Sequence, residues 1–396
     1  MIAISQVALR EALNAVTRAS LKNSLNPCFS LVRLDAGTDG RLGLSCFNGE
    51  FAARAITNVT CDESLSVCVD ALTLKAVVET LSGEIRLTVD ANSLILHSQS
   101  NRTTLRVVDE ILPIIGEEKV HTLTTLTGQA FRSLARVLPF ASTDESRPAL
   151  QVLHLTLEKE TIVAQAADGF SAGTVRENAQ EIIGTPSMSL PLNFARLLST
   201  LVEDRDSVRV ETAGDNRCLF RIMNAENSKD LTLATVTASE NFPSAQIGEL
   251  IEQARRDTLA HLSVQQNSLA QTIRMVQAMG TQNAYIKASG GAVKMASAET
   301  ATGQARNILE GAAGGQDASA WLSAAFLKRA AESCKGEITI RLTDGKKPVL
   351  VEAGGLTAII MPVLVEGNKD PFPEDEAIPL VLQVEPVETM PEMATA

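Results

Sequence analysis

Apolar residues recur at intervals of three and four along six stretches of the chain, which is the spacing that places them on one face of an α-helix. In the first stretch Leu9, Leu13 and Val16 share such a face. Asp70 stands just before the second stretch and is expected to cap its N-terminus. The six predicted helices cover residues 5–20, 71–82, 127–140, 191–202, 265–279 and 320–335.

Shorter runs between these stretches alternate apolar and polar residues, as half-buried β-strands do. Turn-forming sequences such as Thr38-Asp39-Gly40 separate them. Several strands follow each helix, so the pattern favours an α+β fold over a doubly wound sheet, in which helix and strand alternate one by one. The predicted strands cover residues 30–34, 42–45, 85–89, 93–97, 152–157, 161–165, 208–212, 231–235, 337–342 and 348–352.

The order of the predicted elements repeats along the chain. Two helices, each followed by several strands, occur three times, with helix starts at 5 and 71, 127 and 191, and 265 and 320. A repeat of roughly 120 residues is longer than a solenoid unit; chance recurrence among ordinary α+β domains is the alternative. Boundaries near 116–118 and 252–256 predict domains at 1–116, 117–252 and 253–365, with a tail at 366–396.

Composition narrows the class of protein. The 396 residues are 45% hydrophobic, enough for two or three cores, and no apolar run approaches the 18 residues of a membrane span. Aromatic residues make up only 3%, which argues against a stacking platform for single-stranded nucleic acid. The six cysteines and four histidines lack metal-ligand spacing, so we expect no metal or cofactor, and reduced thiols in a cytoplasmic protein.

The net charge of −12 argues by itself against nucleic acid, but the charge is unevenly distributed. Residues 364–396 hold eight acids, one base and five prolines, a composition typical of a disordered tail. The six predicted helices carry ten bases and three acids. A basic face is ordinary solvated surface on any one helix. The same bias on six helices of an acidic chain favours contact with DNA phosphates.

Motifs for catalysis are nearly absent. The chain contains neither a P-loop nor a dinucleotide-binding glycine motif. One literal match to a nucleophile elbow occurs at 169–173, with Ser171 as the nucleophile and His261 as the histidine that follows it in the chain. A serine hydrolase would need a strand before Ser171 and a helix after it, and no helical pattern follows. The hydrolase is therefore a remote alternative.

Residues 138–150, LPFASTDESRPAL, resemble the signature of the bacterial sliding clamps, the beta subunits of DNA polymerase III. Ala167-Asp168-Gly169 follows at the distance expected in that family and is similar to its T-D-G-x-R-L element. Segments 16–19 (VTRA), 27–32 (PCFSLV), 241–243 (NFP) and 359–362 (IIMP) resemble further family motifs. The resemblance covers residues 1 to about 364, in order and at family spacing.

The resemblance implies three copies of the DNA-clamp fold and a head-to-tail dimer, a six-domain ring whose hole is lined by helices. Such a ring encircles duplex DNA and acts as a processivity factor, without enzymatic activity. Its implied partners are double-stranded DNA, DNA polymerase, the clamp loader and other proteins with clamp-binding motifs. The cations implied to face DNA are Arg10, Arg18, Lys22, Lys75, Arg132, Arg136, Arg196, Arg274, Lys328, Arg329 and Lys335.

The family binds partner peptides in a hydrophobic pocket between the second and third repeats. By position, that pocket would use Arg147, Leu150, Ala167, Gly169, Phe170, Pro243, Ile359, Ile360, Met361 and Pro362. This chain departs from the family where Phe170-Ser171-Ala172 replaces a histidine or similar residue, arginine and leucine, and where Val363 and Leu364 replace an arginine-containing end. An accessory or mobile-element clamp with altered partners is therefore the alternative function.

Two further expectations concern the ends of the chain. The resemblance implies a dimer interface between the first repeat and the third repeat of a second copy, formed by Thr103, Leu105, Val107, Arg274, Met275, Val276 and Met279. Residues 378–382, IPLVL, form an apolar segment inside the acidic tail. They are expected either to occupy the chain's own pocket or to belong to a disordered tail, which the composition favours.

Overall fold

The structure, a computed structural model, describes residues 1–110, 112, 115, 119–179, 182–183, 187–214, 216–226, 228–364 and 370–372. In the first repeat a short strand runs directly into a helix, because the Ser5 side chain accepts a hydrogen bond from the Ala8 amide and caps the helix there. The first repeat contains β1 (Ile2–Ser5), α1 (Gln6–Val16), β2 (Leu31–Ala36), β3 (Arg41–Phe47), β4 (Phe51–Asn58), β5 (Thr60–Cys61), β6 (Leu65–Asp70), α2 (Ala71–Thr80), β7 (Glu84–Asp90), β8 (Ser93–Ser98) and β9 (Asn101–Arg106).

The second repeat follows the same plan, again with a strand in front of each helix. Thr127 caps its first helix by accepting a hydrogen bond from the Ala130 amide. Its elements are β10 (His121–Thr127), α3 (Gly128–Leu134), β11 (Val152–Glu158), β12 (Thr161–Ala167), β13 (Ser171–Asn178), β14 (Ser187–Pro191), α4 (Leu192–Leu201), β15 (Ser207–Ala213), β16 (Arg217–Asn224) and β17 (Lys229–Val236).

The third repeat is reached through a connecting helix, α5 (Ser244–Arg256). The predicted boundary at 252–256 falls within this helix, and the domain limits themselves stay a prediction. The third repeat contains β18 (Ala260–Gln265), α6 (Gln266–Ala278), β19 (Asn283–Ser289), β20 (Ala292–Ser297), β21 (Arg306–Leu309), β22 (Gly311–Gly315), β23 (Ala318–Ser323), α7 (Ala324–Ser333), β24 (Glu337–Leu342), β25 (Val349–Ala353) and β26 (Leu356–Ile360).

All six predicted helices and all ten predicted strands are confirmed in place, and so is the Asp70 cap, which binds the Thr73 amide. The helix limits needed correction. Residues 320–323, predicted as helix, belong to β23. The helix predicted to end at 140 is α-helical only to Leu134 and continues as a 3₁₀ turn, Ala135–Phe140. Pro139 lies in that turn, and its ring has no amide hydrogen with which to continue an α-helix.

Four antiparallel sheets run through the described chain. The N-terminal sheet has the order β5-β1-β7-β8-β9, and the terminal sheet has the order β21-β20-β19-β23. Between them, the first junction sheet (β10-β15-β16-β17-β4-β3-β2-β6) joins repeats one and two, and the second junction sheet (β14-β11-β12-β13-β26-β25-β24-β18-β22) joins repeats two and three. Neighbouring repeats are therefore joined by main-chain hydrogen bonds, through β4 with β17 and β13 with β26.

The helices other than α5 form one layer, called here the helical layer, against the sheets. Within it α1 packs beside α2 and α6 beside α7, while the turn Ala135–Phe140 lies against both α4 and α7. Each helix buries its apolar stripe in the core, as Leu9, Leu13 and Val16 of α1 do. In the described part of the chain, no helix is long and apolar enough to cross a membrane.

Candidate functional sites

Nine of the eleven cations predicted to contact DNA present their charge on or beside the helical layer. Arg10, Arg196 and Arg274 are exposed on α1, α4 and α6. Others form ion pairs at the surface, such as Arg132 with Asp204 at 3.2 Å, which water and salt keep weak. The nine side chains are those of Arg10, Arg18, Lys22, Lys75, Arg132, Arg196, Arg274, Lys328 and Lys335.

Arg136 does not fit the predicted role of a DNA contact. Its guanidinium group donates three hydrogen bonds to main-chain carbonyls of the third repeat, to Ser333 (2.8 Å), Gly354 (2.6 Å) and Ala353 (3.1 Å). Ser333 ends α7, whose last carbonyls have no partner within the helix. Arg136 therefore joins the second repeat to the third, and each of its three side-chain nitrogens already donates a hydrogen bond there.

Arg329 was also predicted to face DNA, and its guanidinium group is likewise engaged within the chain. The group crosses from α7 to the second repeat, 2.5 Å from the Asp168 carboxylate and 3.1 Å from the Ser171 hydroxyl. The side chains of Arg329 and Asp168 are only 26% and 13% exposed, which strengthens the ion pair relative to a surface pair. The cation that binds this loop therefore comes from the third repeat.

The predicted pocket residues divide into a buried floor and an exposed rim. Ala167 and Ile359 are buried and pack with Ile247 and Ile251 of α5. Ile360, also predicted for the pocket, is fully buried in the main core, because successive strand residues point to opposite faces. Leu150, Pro243 and Pro362 are partly exposed, and Gly169 and Arg147 are exposed.

A partly exposed apolar surface, called here the junction patch, lies at the rim and consists of Phe170, Phe326 and Met361. The rings of Phe170 and Phe326 stack with centroids 6.2 Å apart, and the Met361 amide donates to the Phe170 carbonyl. The guanidinium carbon of Arg147 lies over the Phe170 ring, 5.5 Å from its centroid. Phe170 is 53% exposed and Met361 38% exposed. Sequence reasoning missed Phe326, whose helical spacing gave no sign of this contact.

The loop beside the junction patch is held by two aspartates. Asp144 accepts hydrogen bonds from the hydroxyl and amide of Ser146, and these bonds lower the pKa of its carboxyl group. Asp168 accepts from the amides of Phe170 and Ser171. The rim therefore has a defined main-chain shape on which Phe170 is presented to solvent.

Ser171 does not lie in a nucleophile elbow. The segment from Asp168 to Ser171 is the turn of a hairpin between β12 and β13, so a strand follows the serine where a nucleophile elbow needs a helix. The Ser171 hydroxyl donates a hydrogen bond to the Asp168 carboxylate and accepts one from the Arg329 guanidinium group. His261 lies on β18, opposite Gly314 of β22 in the third repeat.

Comparison with solved structures explains this architecture. The DNA polymerase sliding clamp from Bacillus subtilis superposes with a TM-score of 0.82 at 17% identity, covering 92% of this chain and 99% of that one. This chain has the sliding-clamp fold. The DNA polymerase III beta subunit from Thermotoga maritima (TM-score 0.79, 16% identity) and the beta subunit from the DNA polymerase of Streptococcus pyogenes (0.81, 17%) match over 92% of this chain and 99% and 100% of theirs. No protein-family model and no curated protein matches the sequence.

At the two ends of the clamp fold, sheet edges lack a neighbouring strand in the described chain. β9 pairs only with β8, and β21 pairs only with β20. Thr103, Leu105 and Val107 are half-buried along the first edge. Near the second, Met275 and Ile308 are exposed. Strand edges of this kind are templates for pairing with another chain.

The third-repeat residues predicted for a dimer interface are not all available. Val276 is fully buried in the core of the clamp fold and cannot contact a second chain, because α6 turns its Leu269, Ile273 and Val276 stripe towards the sheet. Arg274 is exposed and Met279 is half-buried. The tail segment 378–382, expected in the pocket or in a disordered tail, lies outside the described residues.

Proposed function

We propose that this chain is a DNA sliding clamp that acts in the cytoplasm, with two copies closing head to tail into a ring around duplex DNA. The observation that carries the proposal is the cationic helical layer on a clamp fold. Nine exposed or partly exposed cations lie on or beside this layer of a chain whose net charge is −12. The ion pairs that some of these cations form at the protein surface are weak, so DNA phosphates can compete with the protein's carboxylates for them.

The proposed function is tethering rather than catalysis. A closed ring cannot leave a long duplex sideways, so weak phosphate contacts suffice and sequence readout, which would oppose sliding, is unnecessary. A polymerase or repair protein bound to the ring stays at high local concentration near its template. The exposed edges of β9 and β21 are the surfaces through which we expect two copies to pair.

The experiment combines solution mass with retention on DNA. We expect a stable species of twice the 42.2 kDa chain mass. After loading, it should remain on nicked circular DNA at high salt and leave the same DNA once that DNA is cut. A stable monomer, or equal loss from circular and linear DNA, would contradict the proposal.

The junction patch supports a second candidate, an accessory clamp with altered partners. In this chain Asp168 is already bound by Arg329, and Phe170 adds an exposed ring to the rim. Binding of a fluorescent peptide that carries a clamp-binding motif of a bacterial polymerase distinguishes a replicative clamp from an accessory clamp. A replicative clamp should bind it, with affinity reduced at least tenfold by Phe170→Ala and unchanged by Val236→Ala, a similarly exposed control. Absence of binding with intact retention on DNA would favour the accessory clamp.

A further inference from the structure

The end of the described chain returns to the third repeat and contacts the terminal sheet. The Val363 amide donates to the Trp321 carbonyl of β23 at 2.8 Å, which extends the edge of that sheet. Residues 370–372 then lie on the sheet's outer face. This face is formed by alternate residues of β19, β20 and β23, since Ala284 and Ile286 point into the core. Its side chains are Tyr285, Lys287, Lys294, Ala296, Ser319 and Trp321.

Each side chain of Asp370-Pro371-Phe372 has a place on this face. The Asp370 carboxylate is 2.5 Å from the Lys287 ammonium group. Pro371 is buried, and Phe372 is only 5% exposed, packed with Tyr285 and Ala296. The Phe372 ring lies 6.5 Å from the Tyr285 ring, with the Lys294 ammonium group 5.8 Å from its centroid.

The tripeptide is also shaped for the site. The Asp370 carboxylate accepts a hydrogen bond from the Phe372 amide at 2.9 Å, which turns the chain so that the carboxylate and the ring point to the same face. Burial alone raises the pKa of Asp370, but hydrogen bonds from Lys287 and the Phe372 amide outweigh it and hold that pKa below its usual range. The carboxylate is thus charged when it is bound.

The face stands out chemically from the rest of the protein. It holds both the single tryptophan and the single tyrosine of the 396-residue chain, their rings 5.0 Å apart, beside two lysines. Aromatic rings with flanking ammonium groups suit a ligand that carries an aromatic ring and carboxylates. The chain supplies such a ligand, because Glu374, Asp375 and Glu376 follow Phe372 and Pro373 in the sequence.

We propose that the outer face of the terminal sheet is a peptide-binding site for an acidic–proline–aromatic segment, and that its resident ligand is the chain's own Asp370-Pro371-Phe372. A peptide of the same chemistry binds there in trans once the resident segment is removed. The resident segment has the advantage because its covalent link gives it an effective concentration that a free peptide must exceed. This proposal is independent of the DNA-clamp function.

Trp321 is the only tryptophan, so its fluorescence reports on the site directly. The probe is a synthetic peptide of residues 368–376, NKDPFPEDE, which contains no tryptophan or tyrosine. A chain truncated after Leu364 should bind it with a saturable change in Trp321 emission. The full-length chain should need at least tenfold more peptide, and a peptide with Phe372→Ala should bind the truncated chain at least tenfold more weakly.

Two full-length variants guard against a truncated chain that does not fold. Phe372→Ala should empty the site and bind the peptide as the truncated chain does. Adding Lys287→Glu to it should weaken peptide binding at least tenfold, whereas Lys346→Glu, an exposed lysine elsewhere in the repeat, should leave it unchanged. The proposal is overturned if the folded Phe372→Ala chain does not bind the peptide, or if it and the unaltered chain bind it equally.

Discussion

The two junctions between repeats share one main-chain design and differ in what reinforces it. At the first junction β4 pairs with β17, Phe51 packs against Phe194 at 5.8 Å, and the Thr235 hydroxyl donates to the Glu50 carbonyl. At the second, β13 pairs with β26 in the same antiparallel manner. The second junction adds two arginine side chains that cross between repeats, Arg136 and Arg329.

The difference teaches that positive charge on the helical layer has two uses. At the first junction the crossing cation, Arg18, is exposed and donates a single side-chain bond, to Thr200. At the second junction, the guanidinium groups of Arg136 and Arg329 bind carbonyls and a carboxylate of the neighbouring repeat. The junction patch lies beside this second junction, so the contacts made by Arg329 also hold the residues that form the patch.

The largest expected effect comes from Arg136→Met, which keeps an unbranched side chain and removes the guanidinium group that makes the three hydrogen bonds. Hydrogen bonds from charged groups contribute about 1.5–3 kcal/mol each and are not additive, and two of the three freed bonds, to Ser333 and Ala353, are partly buried. We expect the free energy of unfolding to fall by about 3 kcal/mol. Urea unfolding measures it, with Arg10→Met, an exposed cation of α1, as the control expected within about 0.5 kcal/mol of the unaltered chain. Equal effects would mean that the second junction is no different from ordinary surface.

A smaller loss is expected for Arg329→Leu, about 2 kcal/mol, because it leaves the Asp168 carboxylate partly buried without its cation. Double substitution with Asp168→Asn should cost less than the sum of the two single changes, since the partners act as a unit. Urea unfolding of the four chains gives the coupling. An additive pair would show that the contact does not reinforce the junction.

The salt dependence of DNA binding separates the two uses of charge. Arg196→Ala removes an exposed cation and should reduce the slope of log affinity against log salt by about 1. Arg329→Leu, on the next repeat, should leave that slope unchanged because its charge is paired within the chain. Filter or fluorescence binding to a duplex over a salt series measures both. A reduced slope for Arg329→Leu would restore it to the DNA-facing set.

The two kinds of arginine show which features of the molecule can be predicted from the sequence. The helical stripes, such as Leu9, Leu13 and Val16, and the alternation of the strands are local patterns, and they predicted the positions of helices and strands. Arg136 and Arg329 find their partners up to 218 and 161 residues away in the chain, so no local pattern distinguishes them from Arg196. The burial of Ile360 could have been predicted, because period two places it opposite Ile359 once β26 is recognised. Helix α5 also carries a readable stripe, Ile247, Ile251 and Ala254, and it is absent from the six predicted helices.

The smallest expected effect is a pH dependence that arises from Glu352 in the second junction sheet. Burial raises the pKa of Glu352 on β25, but hydrogen bonds from Arg341 and Arg255 outweigh it, so the folded-state pKa lies below the usual value. This carboxylate therefore stabilises the fold above its unfolded pKa of about 4.3, and the contribution is lost as pH falls through the lower folded value. Glu352→Gln should cost about 1 kcal/mol at pH 7 and nothing below the folded pKa.

Arg136 gives the matched comparison, because the main-chain carbonyls that accept its hydrogen bonds do not titrate. The loss caused by Arg136→Met should therefore persist at the acidic pH at which the loss caused by Glu352→Gln disappears. Urea midpoints of the three chains at pH 7 and in a falling acidic series measure both differences. If the Glu352→Gln loss were as large at acidic pH as at pH 7, the ion pairs of Glu352 with Arg255 and Arg341 would not be its cause. Side-chain packing rather than charge would then explain the loss.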